Sequence, residues 1–305
     1  MRLLSTALGL VAAFAMMVSC VPDNTKKGGS GGAAGSGSGG SNGGSSGSGG
    51  SSQPPTGSCD DTSTFTGSVK TAFDHMNISV ANNANKTYCM ISNWWNKYNG
   101  ETETINGLGF TVGNPNKDTS TNNNPLGFPT VFIGNYSSGS CTSKGSNLPK
   151  KVSDLTSIPT VFTTNASAMG YSNYNATYDV WFSATSSGVS GSNPGKGGAY
   201  LMVWLFMPTD RQPRGQPKNQ GRPVPGLPSS WDVWVDNSTD PPCISYVSND
   251  KLSSLEFDLN DVIQDAVAHS YGVTSSQYLS LVFGGFEVWG GADGVQLQKF
   301  CVNVE

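Results

Sequence analysis

Short apolar runs alternate with clusters of turn-forming residues along most of the chain after Cys59. The runs are rich in valine, isoleucine, threonine and aromatic residues, which favour strands. They occupy residues 130–133, 178–182, 200–206, 231–235 and 278–289. Many short strands separated by Gly, Asn, Pro and Ser clusters are typical of an antiparallel sandwich or barrel. The pattern therefore predicts an all-β domain over residues 59–305.

One segment has the spacing of a helix instead. Five apolar side chains recur there on one helical face, namely Leu259, Val262, Ile263, Ala266 and Val267. Asp258 or Asn260 can cap the first turn. We therefore expect one α-helix packed beside a large sandwich.

The beginning of the chain has the pattern of an export signal. Arg2 precedes an apolar stretch, residues 3–17, that is too short to span a bilayer comfortably. The stretch ends in Met-Val-Ser-Cys at residues 17–20, which resembles a bacterial lipobox. In that interpretation residues 1–19 are a cleaved signal peptide, and a lipid on Cys20 anchors the protein to a membrane. The alternative is an ordinary secretory signal, but we expect an exported lipoprotein at the outer membrane or cell surface.

Residues 20–58 contain a tract, 28–52, that is almost entirely Gly and Ser with some Ala and Asn. Such a tract buries too little apolar surface to become ordered, so it predicts a flexible tether. Five cysteines follow Cys20, namely Cys59, Cys89, Cys141, Cys243 and Cys301. Export permits disulfides, and an odd number leaves at least one cysteine unpaired or paired between chains.

Composition excludes several classes of function. The net charge of −4 is small, so nothing favours nucleic acid as a partner. His75 and His269 are far apart and have no cysteine or carboxylate cluster around them, so we expect neither a metal site nor a cofactor. The expected oligomeric state is a monomer.

Two predicted strands carry side chains suited to a carbohydrate site. Successive side chains of a strand point to opposite faces, so Tyr200, Met202 and Trp204 share one face, away from the core. Aromatic rings on such a face can stack on sugar rings, although scattered rings also occur on ordinary exposed strands. The second strand places Glu287 among rings and glycines, beside Phe283 and Trp289. Desolvation raises carboxyl pKa values, as a general acid requires, although a solvated surface glutamate is the alternative.

Several collinear motifs then resemble glycoside hydrolase family 12. The segments that carry the resemblance are Asn93-Trp94-Trp95, residues 127–134, Asn175-Ala176-Thr177-Tyr178-Asp179-Val180-Trp181, Tyr200-Leu201-Met202-Val203-Trp204, Trp231-Asp232-Val233-Trp234 and residues 278–289. The resemblance covers roughly residues 82–304. It implies a jelly-roll β-sandwich of two curved antiparallel sheets with one packed helix and a concave substrate cleft.

The resemblance also implies a chemistry. The family hydrolyses internal β-1,4 links of glucans with retention, using two carboxylates about 5–5.5 Å apart. Glu287 falls at the acid/base position, and Asp179 falls where an aspartate hydrogen-bonds the nucleophile. Asn93 and Trp95 fall at sugar-binding positions.

Three positions depart from the family pattern. Tyr200 stands where the nucleophilic glutamate is expected, and no Asp or Glu occurs between Ser183 and Pro208. Phe283 stands where the family usually has glutamine, and Asn135 stands where bacterial members often have a cysteine that could partner Cys141. One expected catalytic carboxylate is therefore missing.

Three functions fit this sequence. The preferred one is a surface-anchored β-1,4-glucan-binding protein with reduced or lost hydrolysis, whose site includes Met202, Trp204, Phe283 and Trp289. The second is an active endoglucanase in which Tyr200 attacks with Asp179 as its base, or Asp179 activates a water in an inverting mechanism. The third is an inert scaffold.

A basic loop adds one open question about the ligand. Residues 208–228 contain Arg211, Arg214, Lys218 and Arg222. They form either a solvated loop or a basic lip on the cleft that favours a decorated or acidic polysaccharide.

Overall fold

Two β-sheets and one α-helix form the main regular structure of the residues that the structure describes. The computed structural model describes residue 20 and residues 58–113, 124–136, 141–166, 173–209 and 211–305. The predicted sandwich and its packed helix are confirmed. The predicted signal peptide and nearly all of the tether lie outside the described residues.

The strands follow one another in short steps, as the alternating pattern predicted. Their bounds are β1 Thr66–Val69, β2 His75–Ser79, β3 Thr87–Ile91, β4 Thr102–Asn106, β5 Gly109–Gly113, β6 Thr130–Tyr136, β7 Cys141–Thr142, β8 Lys150–Lys151, β9 Pro159–Thr164, β10 Thr177–Ser183, β11 Ala199–Trp204, β12 Gln216–Arg222, β13 Trp231–Asp236, β14 Cys243–Ser248, β15 Ser254–Asp258, β16 Tyr278–Gly285 and β17 Gln296–Val302. The helix α1 spans Leu259–Ala268, and a 3-10 turn spans Val152–Asp154.

The smaller sheet has the strand order β1-β4-β5-β17-β9-β15, and the larger has β12-β13-β14-β11-β10-β16-β6-β3-β2 with β7 and β8 paired at its margins. The strand pairs are antiparallel except β11 and β14, which run parallel. This one pair departs from the expected antiparallel sheets. It arises because the chain leaves β11, builds β12 and β13, and only then returns as β14.

The main core lies between the sheets. In β10, Tyr178, Val180 and Phe182 point into it and are fully buried. The Tyr178 ring packs at 5.4–5.7 Å from the rings of Phe257, Phe162 and Phe300, which reach it from the smaller sheet. Each large apolar side chain buried in this way stabilises the fold by about 1.5–3 kcal/mol.

The helix begins where the sequence predicted. Asp258 accepts a hydrogen bond from the Asn260 N–H at 2.9 Å, which caps the first turn. The same carboxylate accepts from the Ile158 N–H at 2.7 Å and from the Ser157 hydroxyl. One side chain therefore joins α1 to β15 and to the segment before β9.

The six cysteines form three disulfides, which corrects the expectation of an unpaired cysteine. Cys59 pairs with Cys301, Cys89 with Cys141, and Cys20 with Cys243. Asn135 therefore leaves no gap, because Cys89 takes the place of the partner expected there.

The pairing of Cys20 also bears on the predicted lipid anchor. A sulfur in a disulfide has no valence left for a thioether to a lipid, so the expectation that Cys20 is lipidated disagrees with this structure. Within the described part of the chain, no helix combines the length and apolarity needed to cross a membrane.

Candidate functional site

The candidate site lies on the face of the larger sheet that points away from the smaller sheet, which we call the cleft face. Strand register places one row of its side chains across the sheet, one from each strand. The row consists of Trp234, Ser245, Met202, Asp179, Phe283 and Phe132. The predicted alternation of β11 is thereby confirmed, since Leu201 and Val203 pack in the main core.

Tyr200 lies in the next row, at the position expected for the nucleophile. Its cross-strand neighbours are Trp181 on β10 and Cys243 on β14. The Tyr200 ring packs edge-on against Trp181, with ring centroids 5.5 Å apart. A phenol packed in this way differs from the ionised carboxylate that a retaining hydrolase uses.

The environment of Tyr200 opposes ionisation. Burial raises the pKa of the Tyr200 phenol well above its usual range, and the nearby Asp179 carboxylate raises it further. Arg214 lowers the same pKa by less than these effects raise it. Tyr200 is therefore a poor nucleophile at neutral pH.

Asp179 is buried beside Tyr200, with 1% of its surface exposed. Its Oδ2 accepts a hydrogen bond from Trp181 Nε1 at 2.8 Å, while Oδ1 has no hydrogen-bond partner among the described residues. Burial raises the pKa of Asp179 to about 7, because the single indole donor only partly compensates for desolvation. Asp179 can therefore exchange a proton near neutral pH.

Glu287 is held by an asparagine that the sequence analysis did not single out. The Asn175 side-chain amide donates to Glu287 Oε2 at 2.7 Å, and the Glu287 N–H donates to Asn175 Oδ1 at 3.0 Å. The Asn175 N–H donates to the Glu287 carbonyl at 3.0 Å. These bonds fix both the backbone and the carboxyl group. Strand alternation could have found Asn175, since it lies four residues before Asp179 on the same face.

Tyr200 and Glu287 lie on different strands of the cleft face. Tyr200 lies near the start of β11, and Glu287 follows the end of β16. The strand between β11 and β16 is β10, which carries Asp179.

Phe283 joins the rings of the cleft face into one cluster. Its ring lies 4.8 Å from Phe132, 5.1 Å from Trp181, 5.9 Å from Tyr136 and 6.4 Å from Phe128. These separations are typical of favourable aromatic pairs. The apolar ring of Phe283 thus occupies the space beside Asp179.

The expected open aromatic surface is not what the structure shows. Tyr200, Met202, Trp204, Phe283 and Trp289 are all buried, each at most 4% exposed. Cys20 belongs to the same apolar cluster, which it joins through its disulfide to Cys243. Of the predicted sugar-binding rings, Trp95 alone is partly exposed.

The connection from β11 to β12 crosses the cleft face. Both strands start at the same end of the sheet, so the chain must return between the end of β11 and the start of β12. On the way, the Arg211 guanidinium lies 5.7 Å from the centre of the Trp289 ring, and Arg214 pairs with Asp236. The predicted basic loop therefore reaches the cleft through these two arginines, whereas Lys218 is exposed and Arg222 pairs with Asp265.

Two further indole groups on this face lack partners. Trp204 Nε1 and Trp234 Nε1 are buried and have no hydrogen-bond acceptor among the described residues. Trp234 was not predicted as a site residue, although the alternation of β13 places it on this face. Together with Asp179 Oδ1, the indoles leave two donors and one acceptor unused.

Asn93 and Trp95 lie at the Glu287 end of the face. Asn93 has a left-handed backbone, with φ of 53°, and its side chain donates to the Phe128 carbonyl at 3.3 Å. The Phe128 N–H donates back to the Asn93 carbonyl at 2.9 Å. The turn at Asn93 directs Trp95 towards the cleft.

Within the described residues, metal-ligand side chains come together at Cys59, Asp61 and Cys301. Two of these three form a disulfide, so the group is not a metal centre. The cleft face brings together no comparable set of ligands among those residues.

Comparisons with known proteins agree with this geometry. A probable cellulase, Cel12b of Mycobacterium tuberculosis, is 26% identical over 160 residues, which are 52% of this chain and 99% of that protein. The solved endoglucanase cel12A from Rhodothermus marinus is 27% identical and superposes with a TM-score of 0.66, covering 78% of this chain and 98% of that one. A metagenome-derived glycoside hydrolase family 12 endoglucanase, 24% identical, has the same fold, with a TM-score of 0.68 over 79% of this chain and 99% of that one.

The sequence model described as Glycosyl hydrolase family 12 matches residues 86–305, which include the folded sandwich from β3 to the last residue. The match includes both ends of the cleft face. The chain therefore belongs to glycoside hydrolase family 12.

Proposed function

We propose that the protein binds a β-1,4-glucan on its cleft face and has reduced or lost hydrolysis. The observation that supports this proposal is the burial of the Tyr200 phenol, which stands where the family resemblance implies the nucleophile. The ring is packed on Trp181, and its pKa is raised by burial. A retaining mechanism requires a second ionised group opposite the acid, and Tyr200 does not supply one.

Unused hydrogen-bonding groups support binding. The indole N–H groups of Trp204 and Trp234 and Oδ1 of Asp179 are buried without partners among the described residues. Leaving such a group unpaired costs about 1–3 kcal/mol. Sugar hydroxyls both donate and accept, so one pyranose chain could satisfy all three groups while its apolar faces lie on the rings. The names of related proteins, a cellulase and endoglucanases, favour a β-glucan as the ligand.

A second function, slow hydrolysis, is favoured by one observation. Asp179 has a pKa raised to about 7, which suits a general base that activates a water. Glu287, fixed by Asn175, would be the matching acid. The aromatic packing of Phe283 works against this function, because it excludes water from the side of Asp179.

The closed state of the face has a consequence for binding. Cys20 is seated against the rings and is bonded to Cys243, the neighbour of Tyr200. A glucan chain therefore reaches these rings only when Cys20 leaves the face. We expect a Cys20→Ser variant to bind glucan more tightly than the wild type. Equal affinities would mean that Cys20 does not cover the site.

We also propose that the protein is exported. Disulfides persist in oxidising compartments, and the described residues contain no free cysteine. A lipid on Cys20 is not part of this proposal, because that sulfur is bonded to Cys243.

The experiment measures binding and cleavage on the same protein. Affinity electrophoresis with mixed-linkage glucan, xyloglucan and carboxymethyl cellulose reports binding, and reducing-end release reports hydrolysis. We expect the wild type to bind at least one glucan without releasing reducing ends. A Tyr200→Phe variant, which keeps the ring and removes the hydroxyl, is the matched control and should behave like the wild type.

Three results would contradict the proposal in different ways. Rapid cleavage by the wild type that Glu287→Gln abolishes would establish an active enzyme. Loss of that cleavage in Tyr200→Phe would identify the phenol as its nucleophile, and retention would point to Asp179. Failure to bind any glucan would leave the sandwich as a scaffold.

A further inference from the structure

A buried carboxyl group lies behind the Asn93–Trp95 end of the cleft face. Glu103 on β4 is fully buried, and its cross-strand neighbours are Val69 on β1 and Val112 on β5, both core residues. An ionised carboxylate at such an apolar position is costly unless it is paired. No cation pairs with Glu103 among the described residues, so the carboxyl group must be stabilised in another way.

Among the described residues, the hydrogen bond of the Glu103 side chain is made to Trp94, which lies between two residues of the cleft. Trp94 Nε1 donates to Glu103 Oε1 at 2.7 Å, while Oε2 has no partner among the described residues. Trp94 lies between Asn93 and Trp95, which both lie at the cleft. Its own side chain points into the main core and is 2% exposed.

Backbone and ring contacts hold Trp94 in place within the segment from Asn93 to Trp95. Its N–H donates to the Ala72 carbonyl at 2.8 Å, and its ring lies so close to Gly127 that any Cβ there would come within 2.6 Å of it. The residue after Gly127 exchanges hydrogen bonds with Asn93. A movement of the Trp94 indole would therefore displace both neighbouring cleft residues.

We propose that Glu103, through its hydrogen bond to Trp94, is a positioning residue for the Asn93–Trp95 part of the glucan site, and that a charge on its buried carboxyl group, whose Oε2 has no partner among the described residues, opens this part to water. The inference rests on the proposed glucan binding. It adds a residue, 103, that touches no sugar and acts through Trp94.

The two charged groups near Glu103, the carboxylates of Glu101 and Asp74, both raise its pKa. Burial raises the pKa of Glu103 to about 8, the Trp94 bond lowers it, and the nearby carboxylates of Glu101 and Asp74 raise it further. Desolvation also raises the pKa of Tyr98, and the carboxylates of Glu101 and Asp74 raise it further. Glu103 is therefore uncharged at pH 7 and ionises as the pH rises through about 8.

The test compares glucan affinity at several pH values in two proteins. We expect the wild type to lose affinity by at least about threefold between pH 7 and pH 9.5, as Glu103 ionises. Glu103→Gln keeps an acceptor for Trp94 and cannot ionise, so its affinity should fall by less than that of the wild type over that range, the remaining change being that of Asp179. Glu256→Gln makes the same change at an exposed position of β15 and should follow the wild type.

A second variant tests the direction of the effect. Trp94→Phe removes the one donor to the Glu103 carboxyl group among the described residues, so the pH at which affinity falls should move upward. Thermal unfolding of each variant at pH 7 checks that the proteins are folded. If Trp94→Phe does not fold, the comparison with Glu103→Gln alone decides the matter.

The possible outcomes separate the two proposals. Constant affinity of the wild type from pH 7 to pH 9.5, or an equal loss in Glu103→Gln, would overturn the role of Glu103 and leave glucan binding intact. Absence of binding at pH 7 in the wild type would instead contradict the proposed function itself. A greater loss in the proteins that retain Glu103 than in Glu103→Gln supports both.

Discussion

Single residues decide the chemistry of the cleft face, because nearly every polar group on it is buried. Asp179, Glu103 and Tyr200 all have raised pKa values, and burial is the largest cause in each case. A raised carboxyl pKa lowers the stability of the folded state at high pH, not at low pH. The folded state holds a proton that the unfolded state has already released, so stability falls as the pH rises.

Asp179 allows this fall of stability with rising pH to be measured. Its stabilising contribution is fully present below the unfolded pKa of about 3.9 and is lost as the pH rises through about 7. We expect Asp179→Asn to unfold with a free energy close to that of the wild type at pH 4 and higher by up to about 4 kcal/mol above pH 7. Urea unfolding at a series of pH values measures the difference. A variant less stable than the wild type at pH 8 would show that the Asp179 carboxylate is stabilised in a way this structure lacks.

Asn175 sets the position of Glu287, and its loss should be visible only where hydrolysis occurs. In a Tyr200→Glu background that cleaves glucan, Asn175→Ala should lower kcat by about 10–100-fold, since positioning of a general acid is worth this much. The pH optimum should also shift, which simple loss of stability would not cause. Unchanged kcat and pH profile would mean that backbone bonds alone hold Glu287.

Strands and the helix account for what the sequence could and could not predict. The alternation of β11 and the helical spacing of α1 gave their buried faces correctly, because each element follows one simple period. The burial of Tyr200 and Trp289 could not be predicted in this way. It depends on Cys20 and on the crossing connection with Arg211, which the local pattern of β11 or β16 does not encode.

Changes on the two strands that flank β10 must be reversed together. Phe283 on β16 and Tyr200 on β11 both pack against Trp181 of β10, so they form one aromatic cluster. We expect Tyr200→Glu with Phe283→Gln to release reducing ends at least about tenfold faster than Tyr200→Glu alone, since the added amide lets water and sugar reach the carboxylates. Reducing-end assays on both variants measure the ratio. Equal rates would show that Phe283 does not obstruct the site.

The N-cap of α1 is one of the polar links of this helix to the sheets. Asp258 accepts from Asn260, Ile158 and Ser157. Asp258→Ala should lower the free energy of unfolding by about 2–3 kcal/mol, more than a typical cap, because two further donors lose their acceptor. Asp261→Ala, on the same helix turn, serves as the control. A loss below 1 kcal/mol, measured by urea unfolding, would show that water replaces the carboxylate.

At the scale of the whole molecule, the two ends of the domain are joined. Cys59 bonds to Cys301 on β17, and Lys86 links the nearby Asp61 to the Val302 carbonyl. Cys59→Ser with Cys301→Ser opens a loop of 242 residues and should destabilise the domain by about 2–5 kcal/mol. Thermal unfolding under oxidising conditions measures the loss. Cys89→Ser with Cys141→Ser, which opens a loop of 52 residues, should cost less.

The same covalent link determines how the domain would respond to a pulling force. Without it, tension on the chain before Cys59 would reach β1, an edge strand, and could peel it from β4 one pair at a time. With the disulfide in place, tension applied between Cys20 and Cys59 passes directly into β17, which lies inside the smaller sheet between β5 and β9, while tension applied before Cys20 enters β14 through Cys243. An inner strand must be sheared against two neighbours at once, so forced unfolding meets a higher barrier. A sandwich loaded through its N-terminal side would therefore hold its shape under tension.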